Sequence, residues 1–310
     1  METRKAIDGK AAIIMAMLCL VWSLQQIGIK ATAHDISPVL QIALRSGVAA
    51  VLVALLMLFR REKPVELAAS WWPGLLAGAL FALEYVLLGA GLLHTSAAHA
   101  VVFLYTGPLF VALGLHLKLP AERLAPLQWL GVALAFGGIA VAFALDTRPG
   151  GTAGTHGLAG DLLCLAAGAA WGATTVVVRC SSLSRLPATQ VVLYQLGTAS
   201  VLLLLSAVAM GQTVFMATPV AVGNLVFQAL IVSFASLLAW FHLLRHYLAS
   251  RLGVFSFLTP LFGVLLGAAL LDEHITGSFV LGAALVLAGI VLVSGHGWIS
   301  AAWAARKTIN

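Results

Sequence analysis

The chain has 310 residues, of which 61% are hydrophobic and only 9% charged, with a mean hydropathy of +1.04 and a formal charge of +6. A soluble domain of ordinary make-up is about a quarter charged, so this chain cannot keep a water-facing surface wet and the bilayer is its solvent. The basic residues are spread over alternate loops instead of gathered on one face, which excludes nucleic-acid binding.

Apolar stretches of about 17 to 25 residues are long enough to cross the hydrocarbon core. Ten are predicted in chain order: Ala11 to Ile29, Pro38 to Phe59, Pro73 to Leu93, Ala97 to Leu117, Leu127 to Leu145, Leu158 to Val178, Pro187 to Ala209, Ala221 to Leu244, Leu252 to Leu271 and Phe279 to Ser294. The first, following Arg4, Lys5 and Lys10, has the outline of a signal peptide. Its match to the sixth argues that it is retained.

Lysine and arginine in short loops stay on the cytoplasmic side. With both termini cytoplasmic, the inner loops and ends hold Arg4, Lys5, Lys10, Arg60, Arg61, Lys63, Lys118, Arg123, Arg179, Arg185, Arg245, Arg251, Arg306 and Lys307. The outer loops hold only Lys30 and Arg148. Fourteen against two, with Arg45 inside a helix, accounts for all 17 basic residues and predicts a multi-pass protein of the inner (plasma) membrane.

The chain also repeats itself. Phe103 to Phe110 reads Phe-Leu-Tyr-Thr-Gly-Pro-Leu-Phe and Phe255 to Phe262 reads Phe-Ser-Phe-Leu-Thr-Pro-Leu-Phe, each followed by an acid, Glu122 or Glu273, and a Gly-rich apolar segment. Trp22/Trp171, Lys30/Arg179, Pro38/Pro187 and Gln41/Gln190 extend the match at an offset of 149. The expected fold class is thus an all-α integral membrane protein whose ten helices form two five-helix repeats, residues 11–145 and 158–294, joined by a Gly/Thr-rich linker at 146–157 and followed by a cytoplasmic tail at 295–310. Because five is odd, the second repeat enters the membrane from the other side, giving inverted topology and a site at the interface between repeats. The linker's glycines do not form a phosphate loop, since no strand precedes them and no Gly-Lys-Ser/Thr follows.

These features together resemble the EamA-type family of the drug/metabolite transporter superfamily: the duplicated ten-helix layout, Trp22-Ser23 and Trp171-Gly172 early in each half, the helices bearing Pro108 and Pro260, and the acids leading into Gly-rich last helices. The resemblance covers Ala11 to Ser294 and departs only at Asp272-Glu273, where the offset slips from 152 at Pro260 to 151. It implies a central cavity walled by the first, third, fourth, sixth, eighth and ninth helices, with the fifth and tenth at the periphery. It also implies transport of small metabolites; members export amino acids and other metabolites or exchange nucleotide sugars and phosphate esters.

Candidate cavity residues come from two helix faces. Trp22, Gln25, Gln26 and Ile29 fall at i, i+3, i+4 and i+7, as do Trp171, Thr174, Thr175 and Val178. Each face joins an aromatic to hydrogen-bonding groups, the make-up of a small-molecule site; the plainer reading is that Gln and Thr only glue helices together. Tyr85, Tyr105 and Trp240 sit at mid-depth on helices the resemblance assigns to the cavity, where they stack on an apolar substrate or simply pack.

Arg45 and Glu84 are the charges inside helices, where each costs about 2.5–3.5 kcal/mol even on the lenient insertion scale. At 1.5 Å per residue, Arg45 lies about 12 Å and Glu84 about 13–14 Å below the outer face, so a buried charge pair is expected. Its roles are open: a structural tie between helices two and three, a substrate-carboxylate contact, or proton coupling. Pro108 and Pro260 are expected to break their helices as hinges or cavity wall, against the plainer reading of packing kinks.

Other chemistry is thin. His242 and His246 stand at i, i+4 without a third ligand, so no metal is expected, and no cofactor is implied. No Gly-x-Ser-x-Gly, His-Glu-x-x-His or nucleotide-binding loop is present, which argues against an enzyme. The expected activity is secondary transport, in the export direction, of an amino acid or similar amphipathic compound; the alternatives are a passive facilitator or channel and an exchanger of phosphorylated metabolites. The expected partners are the small-molecule substrate, the lipid bilayer and protons, and a monomer suffices for a complete pathway.

Overall fold

A computed structural model describes residues 7–95, 97–144, 157–271 and 276–307. The linker at 146–156 and Asp272-Glu273 therefore lie outside the described residues. Thirteen helices follow in order: α1 (Gly9–Ala31), α2 (Pro38–Phe59), α3 (Leu67–Leu92), α4 (Ala97–Leu104), α5 (Gly107–Lys118), α6 (Pro126–Ala144), α7 (Gly157–Cys180), α8 (Ala188–Ala209), α9 (Pro219–Phe227), α10 (Leu237–His246), α11 (Ala249–Phe255), α12 (Leu258–Leu271) and α13 (Gly277–Lys307). No strand occurs among the described residues; a lone bridge joins Ile36 to Phe215.

Local chemistry sets the helix starts. Asp8 caps α1 by accepting from the Ala11 amide at 2.8 Å, and Thr218 caps α9 by accepting from Ala221 at 3.2 Å. Pro38 and Pro219 occupy first-turn positions, where a missing N–H costs nothing. The helices are apolar nearly all round, as membrane spans are. Val51, Trp72, Leu205 and Val291 are exposed on the outside of the bundle, while alanine, leucine and valine make up most of the buried core and glycines admit the closest helix contacts.

Among the described residues eight segments are long and apolar enough to cross a membrane, and two shorter apolar ones lie at Pro126–Ala142 and Gly277–Val293. The fold is that of a multi-pass membrane protein. Several predicted boundaries shift. The third span begins at Leu67, six residues before the predicted start, with Pro73 inside the helix. The last helix continues to Lys307 instead of giving way to a tail at 295, because Ala301-Ala302-Trp303-Ala304-Ala305 is rich in the strongest helix former. The fourth span is two helices, α4 and α5, interrupted at Tyr105-Thr106, and the ninth is α11 and α12, interrupted at Ser256-Phe257. In the eighth, α9 passes into α10 through a π-helical stretch, Gln228–Ser236.

A close backbone approach joins α6 to α13. A Cβ on Gly131 would meet the Gly289 carbonyl oxygen at 2.8 Å, and one on Gly289 the Gly131 oxygen at 2.4 Å. Gly138 and Gly282 stand in the same mutual relation, a Cβ added to either coming within 2.5 Å of the other's carbonyl oxygen. Since 131 faces 289 while 138 faces 282, the two helices run antiparallel. The seam is reciprocal: 131 and 138 are the sequence equivalents of 282 and 289, and each glycine packs on the equivalent of its own helix partner, as across a twofold axis. Elsewhere α3 lies along α7 and α8, and α2 along α8. There Gly74 admits the ring of Tyr194, whose hydroxyl is 3.1 Å from Ser70 Oγ.

Gly138→Ala drives a methyl into a carbonyl that cannot move aside, and should lower stability by about 1–3 kcal/mol. Gly137→Ala, with no atom within 4 Å of its Cβ, is the matched control and should raise stability by up to about 1 kcal/mol, since alanine is the better helix former. Thermal unfolding of both in the same detergent checks this; equal midpoints would show that the seam is not close-packed.

Candidate substrate site

The predicted residues divide into an aromatic group and a polar group. On α1, Trp22 is half-buried, donates its indole N–H to Ser236 Oγ at 3.0 Å and meets Trp240 edge-on at 5.7 Å. At the interruption of the fourth span, Tyr105 is buried and stands edge-on to Trp171 at 5.5 Å, with Phe257 from the other interruption at 6.4 Å. Trp171 lies flat on Gly107, where a Cβ would come within 2.3 Å of its ring. The two broken spans therefore bring their breaks together beside Trp171. This geometry suits an apolar or aromatic ligand fragment, since ring edges and faces offer area with little polar cost.

The polar group centres on Arg45, which is 2% exposed. Its guanidinium donates through Nη1 to Gln228 Oε1 at 2.6 Å and through Nη2 to the Tyr85 hydroxyl at 3.0 Å, and it lies 5.5 Å from the centre of the Tyr85 ring. Gln228 in turn donates to the Gln25 carbonyl at 2.9 Å. With its amide turned so that oxygen faces the donors, Gln25 accepts from Arg45 at 3.2 and 3.3 Å and from Tyr85 at 3.3 Å. Four helical elements thus meet around one cation: α1, α2, α3 and the π-helical stretch.

The expected Arg45–Glu84 pair does not form as a contact. Glu84 is half-buried, makes no hydrogen bond or ion pair among the described residues, and stays within electrostatic reach of Arg45 without touching it. Equal depth was the basis of that expectation, and depth says nothing about azimuth. Glu84 and Tyr85 are successive residues about 100° apart on the helix, and the turn toward Arg45 is taken by the tyrosine. Neutral oxygens satisfy Arg45, and its Nε is left without a partner.

Remaining candidates scatter. Gln26 is exposed, away from its neighbour Gln25. Thr174 is buried and spends its hydroxyl on the Ala170 carbonyl at 3.0 Å, one turn back in its own helix, and Thr175 is buried too. Pro108 and Pro260 lie in the first turns of α5 and α12, just after the interruptions. The missing proline N–H at that position is one the helix would leave unpaired anyway, so the break itself falls two to four residues earlier. Freed carbonyls there find local donors: Thr106 Oγ1 reaches the Phe103 oxygen at 2.6 Å, and the Cys19 thiol reaches the Phe255 oxygen at 3.2 Å.

Sequence reasoning missed Gln228, Asn224 and Ser236. Asn224 ties α9 to the end of α1 by donating to the Gly28 oxygen at 3.1 Å and to Thr32 Oγ1 at 2.9 Å. The available signal was a polar residue every four positions in an otherwise apolar span, 224 and 228, then 236. A further buried pair, Arg179 with Glu122, was also missed.

A chain of antiparallel, duplicated apolar helices around a buried polar and aromatic centre defines a membrane transport protein. Residues 9–144 and 158–295 each match the EamA-like transporter family, and the chain belongs to that family. The uncharacterized transporter YvbV of Bacillus subtilis (strain 168) is 27% identical over 290 residues, 92% of each chain. A second, the uncharacterized transporter YoaV of the same organism, is 24% identical over 289 residues, 91% of this chain and 96% of its own. One solved crystal structure shares the fold with a TM-score of 0.77 at 20% identity, covering 92% of this chain and 96% of that one.

Gln228→Ala removes the charged hydrogen bond that holds Arg45 and should cost about 1.5–3 kcal/mol. Glu84→Gln, which strands no partner, should stay within about 0.5 kcal/mol of wild type. Unfolding midpoints in nanodiscs decide between the partners: the reverse ranking would restore Glu84 as the counter-ion of Arg45.

Proposed function

We propose that this EamA-family chain is a secondary transporter that exports a small organic metabolite, an amino acid or similarly amphipathic compound, by alternating access between two inverted-topology repeats. The observation that carries this reading is the reciprocal seam of Gly131 with Gly289 and Gly138 with Gly282. Antiparallel contact between sequence-equivalent helices is what a twofold axis in the membrane plane produces. Two repeats so related exchange conformations to give an inward-open and an outward-open form of equal packing quality.

In this reading Trp22, Trp240, Tyr105 and Trp171 form the apolar wall of the cavity, and Gln25 and Tyr85 its polar edge. Arg45 is a structural cation that fixes the positions of Gln25, Tyr85 and Gln228. Glu84 is the free acid, half-buried on a cavity helix, that meets the ammonium group of the substrate or carries the coupled proton. The interruptions at Tyr105-Thr106 and Ser256-Phe257, with Pro108 and Pro260 just beyond, are the hinges. The lysine and arginine distribution favours cytoplasmic termini and a plasma-membrane location.

Vesicles preloaded with a metabolite that raises the unfolding midpoint should accelerate uptake of the labelled compound, with saturation. Passive diffusion through a channel gives neither, and that result would overturn the reading. In the same vesicles Glu84→Gln should fold, retain the aromatic cavity and lose exchange by at least about tenfold, the size of effect that removing one charged contact of about 1.4 kcal/mol produces.

A further inference from the structure

At the end of the bundle opposite the Ile36–Phe215 bridge, one carboxylate holds three chain segments together. Glu122 lies in the short turn Pro120–Glu122 between α5 and α6, and it is 1% exposed. Its Oε1 accepts from Arg179 Nε at 3.0 Å, from Arg179 Nη2, and from the Ala249 amide at 3.1 Å. Its Oε2 accepts from the Ser250 amide at 3.0 Å and from Ser250 Oγ at 2.7 Å. Glu122 belongs to the first repeat; Arg179, at the end of α7, and Ala249-Ser250, at the start of α11, belong to the second. Arg179 and Ser250 are buried with it.

Position gives this cluster a transport role. The segment α5, the second half of α7 and the segment α11 each run from the Tyr105–Trp171–Phe257 aromatic group to Glu122 and its partners. Along the way they are packed tightly: Gly172 on Phe110, Gly114 on Val176, and Gly253 against Pro108. A solute leaving the aromatic group toward this end must part these three segments, and Glu122 ties all of them at the far tip. At the opposite end the side chain of Lys30, the sequence equivalent of Arg179, is exposed and makes no ion pair or hydrogen bond among the described residues, which do not include Glu273, the equivalent of Glu122.

Building on the alternating-access reading above, we propose that Glu122 is the latch that shuts the cytoplasmic end of the pathway, and that its release from Arg179 and α11 is the step that opens the protein inward. With the latch undone, α11 swings about the interruption at Ser256-Phe257. The carboxylate is fully satisfied, but Arg179 Nη1 has no partner. A buried donor left unpaired weakens the closed state enough to keep it reversible, whereas the charge pair makes release all-or-none, because a half-separated pair in a dry site is worse than either end state.

Nitroxide pairs placed on a background free of Cys19, Cys164 and Cys180 test this by electron–electron distance measurement on the full chain in nanodiscs. One pair, at Arg123 and His246, flanks the latch; the other, at Lys30 and Leu158, reports the opposite end, and all four positions are exposed. Glu122→Gln keeps size and loses charge, and should raise the long-distance population at 123/246 by about tenfold or more while shortening 30/158. Folded protein with an unchanged 123/246 distribution overturns the latch. Lengthening at 123/246 with 30/158 unmoved supports the latch and overturns alternating access. Should Glu122→Gln not fold, Ser250→Ala removes one donor and leaves the ion pair; a smaller shift in the same direction supports the latch, and none overturns it.

Discussion

No water reaches the hydrocarbon layer, so each polar group this chain carries into the bundle must find its partner in the bundle. That demand organises the interior. Arg45 gathers Gln228, Tyr85 and Gln25 around one guanidinium, and Asn224 ties α9 to the end of α1. Even the helix interruptions obey it, since the carbonyls freed at Phe103 and Phe255 are met by Thr106 and Cys19. The demand is not met everywhere: Arg45 Nε, Arg179 Nη1 and Gln195 Oε1 are buried without a partner, and Glu84 is a half-buried acid with no bonded partner among the described residues.

The second organising element is closeness without side chains. In a bilayer the apolar surfaces of helices gain little by meeting one another, so association relies on van der Waals contact and short backbone approaches. The α6–α13 seam achieves this at two reciprocal glycine pairs on what would be the symmetry axis. Under the alternating-access reading proposed above, a contact on the axis maps onto itself when the repeats exchange roles, so it need not break during transport. The Glu122 cluster lies away from that seam and, in the same reading, is free to differ between states.

Much of this was legible in the sequence because the signals were one-dimensional. Hydropathy runs marked the spans, and an offset near 149 marked the duplication. The interruptions were legible through the Pro108 and Pro260 repeats, although the breaks fall before the prolines. What was not legible depends on rotation about helix axes. Arg45 and Glu84 were matched by depth, yet Tyr85, one residue along, makes the contact, and Gln25 and Gln26 part ways for the same reason. Glu122 and Arg179 were each visible, as a repeated acid and an inner-loop cation, but 57 residues of chain separate them and only the folded helices bring them together.

The π-helical stretch carries a consequence for the two faces of the pathway. Pro219–His246 is wide-turned over Gln228–Ser236, where its equivalent, α3, is α-helical from Leu67 to Leu92. Wide turns take up extra residues without lengthening the rod in proportion, so both ends stay level with the membrane while every side chain after the bulge is turned to a new bearing. Ser236 accordingly faces Trp22, whereas Glu84, its counterpart in the aligned halves, faces no partner. The frame is nearly symmetric but its lining is not. A ligand held by the same residues therefore meets unequal dissociation constants when it is offered from opposite faces, so one face saturates at lower concentration than the other, even though the gradients alone decide the direction of net flow.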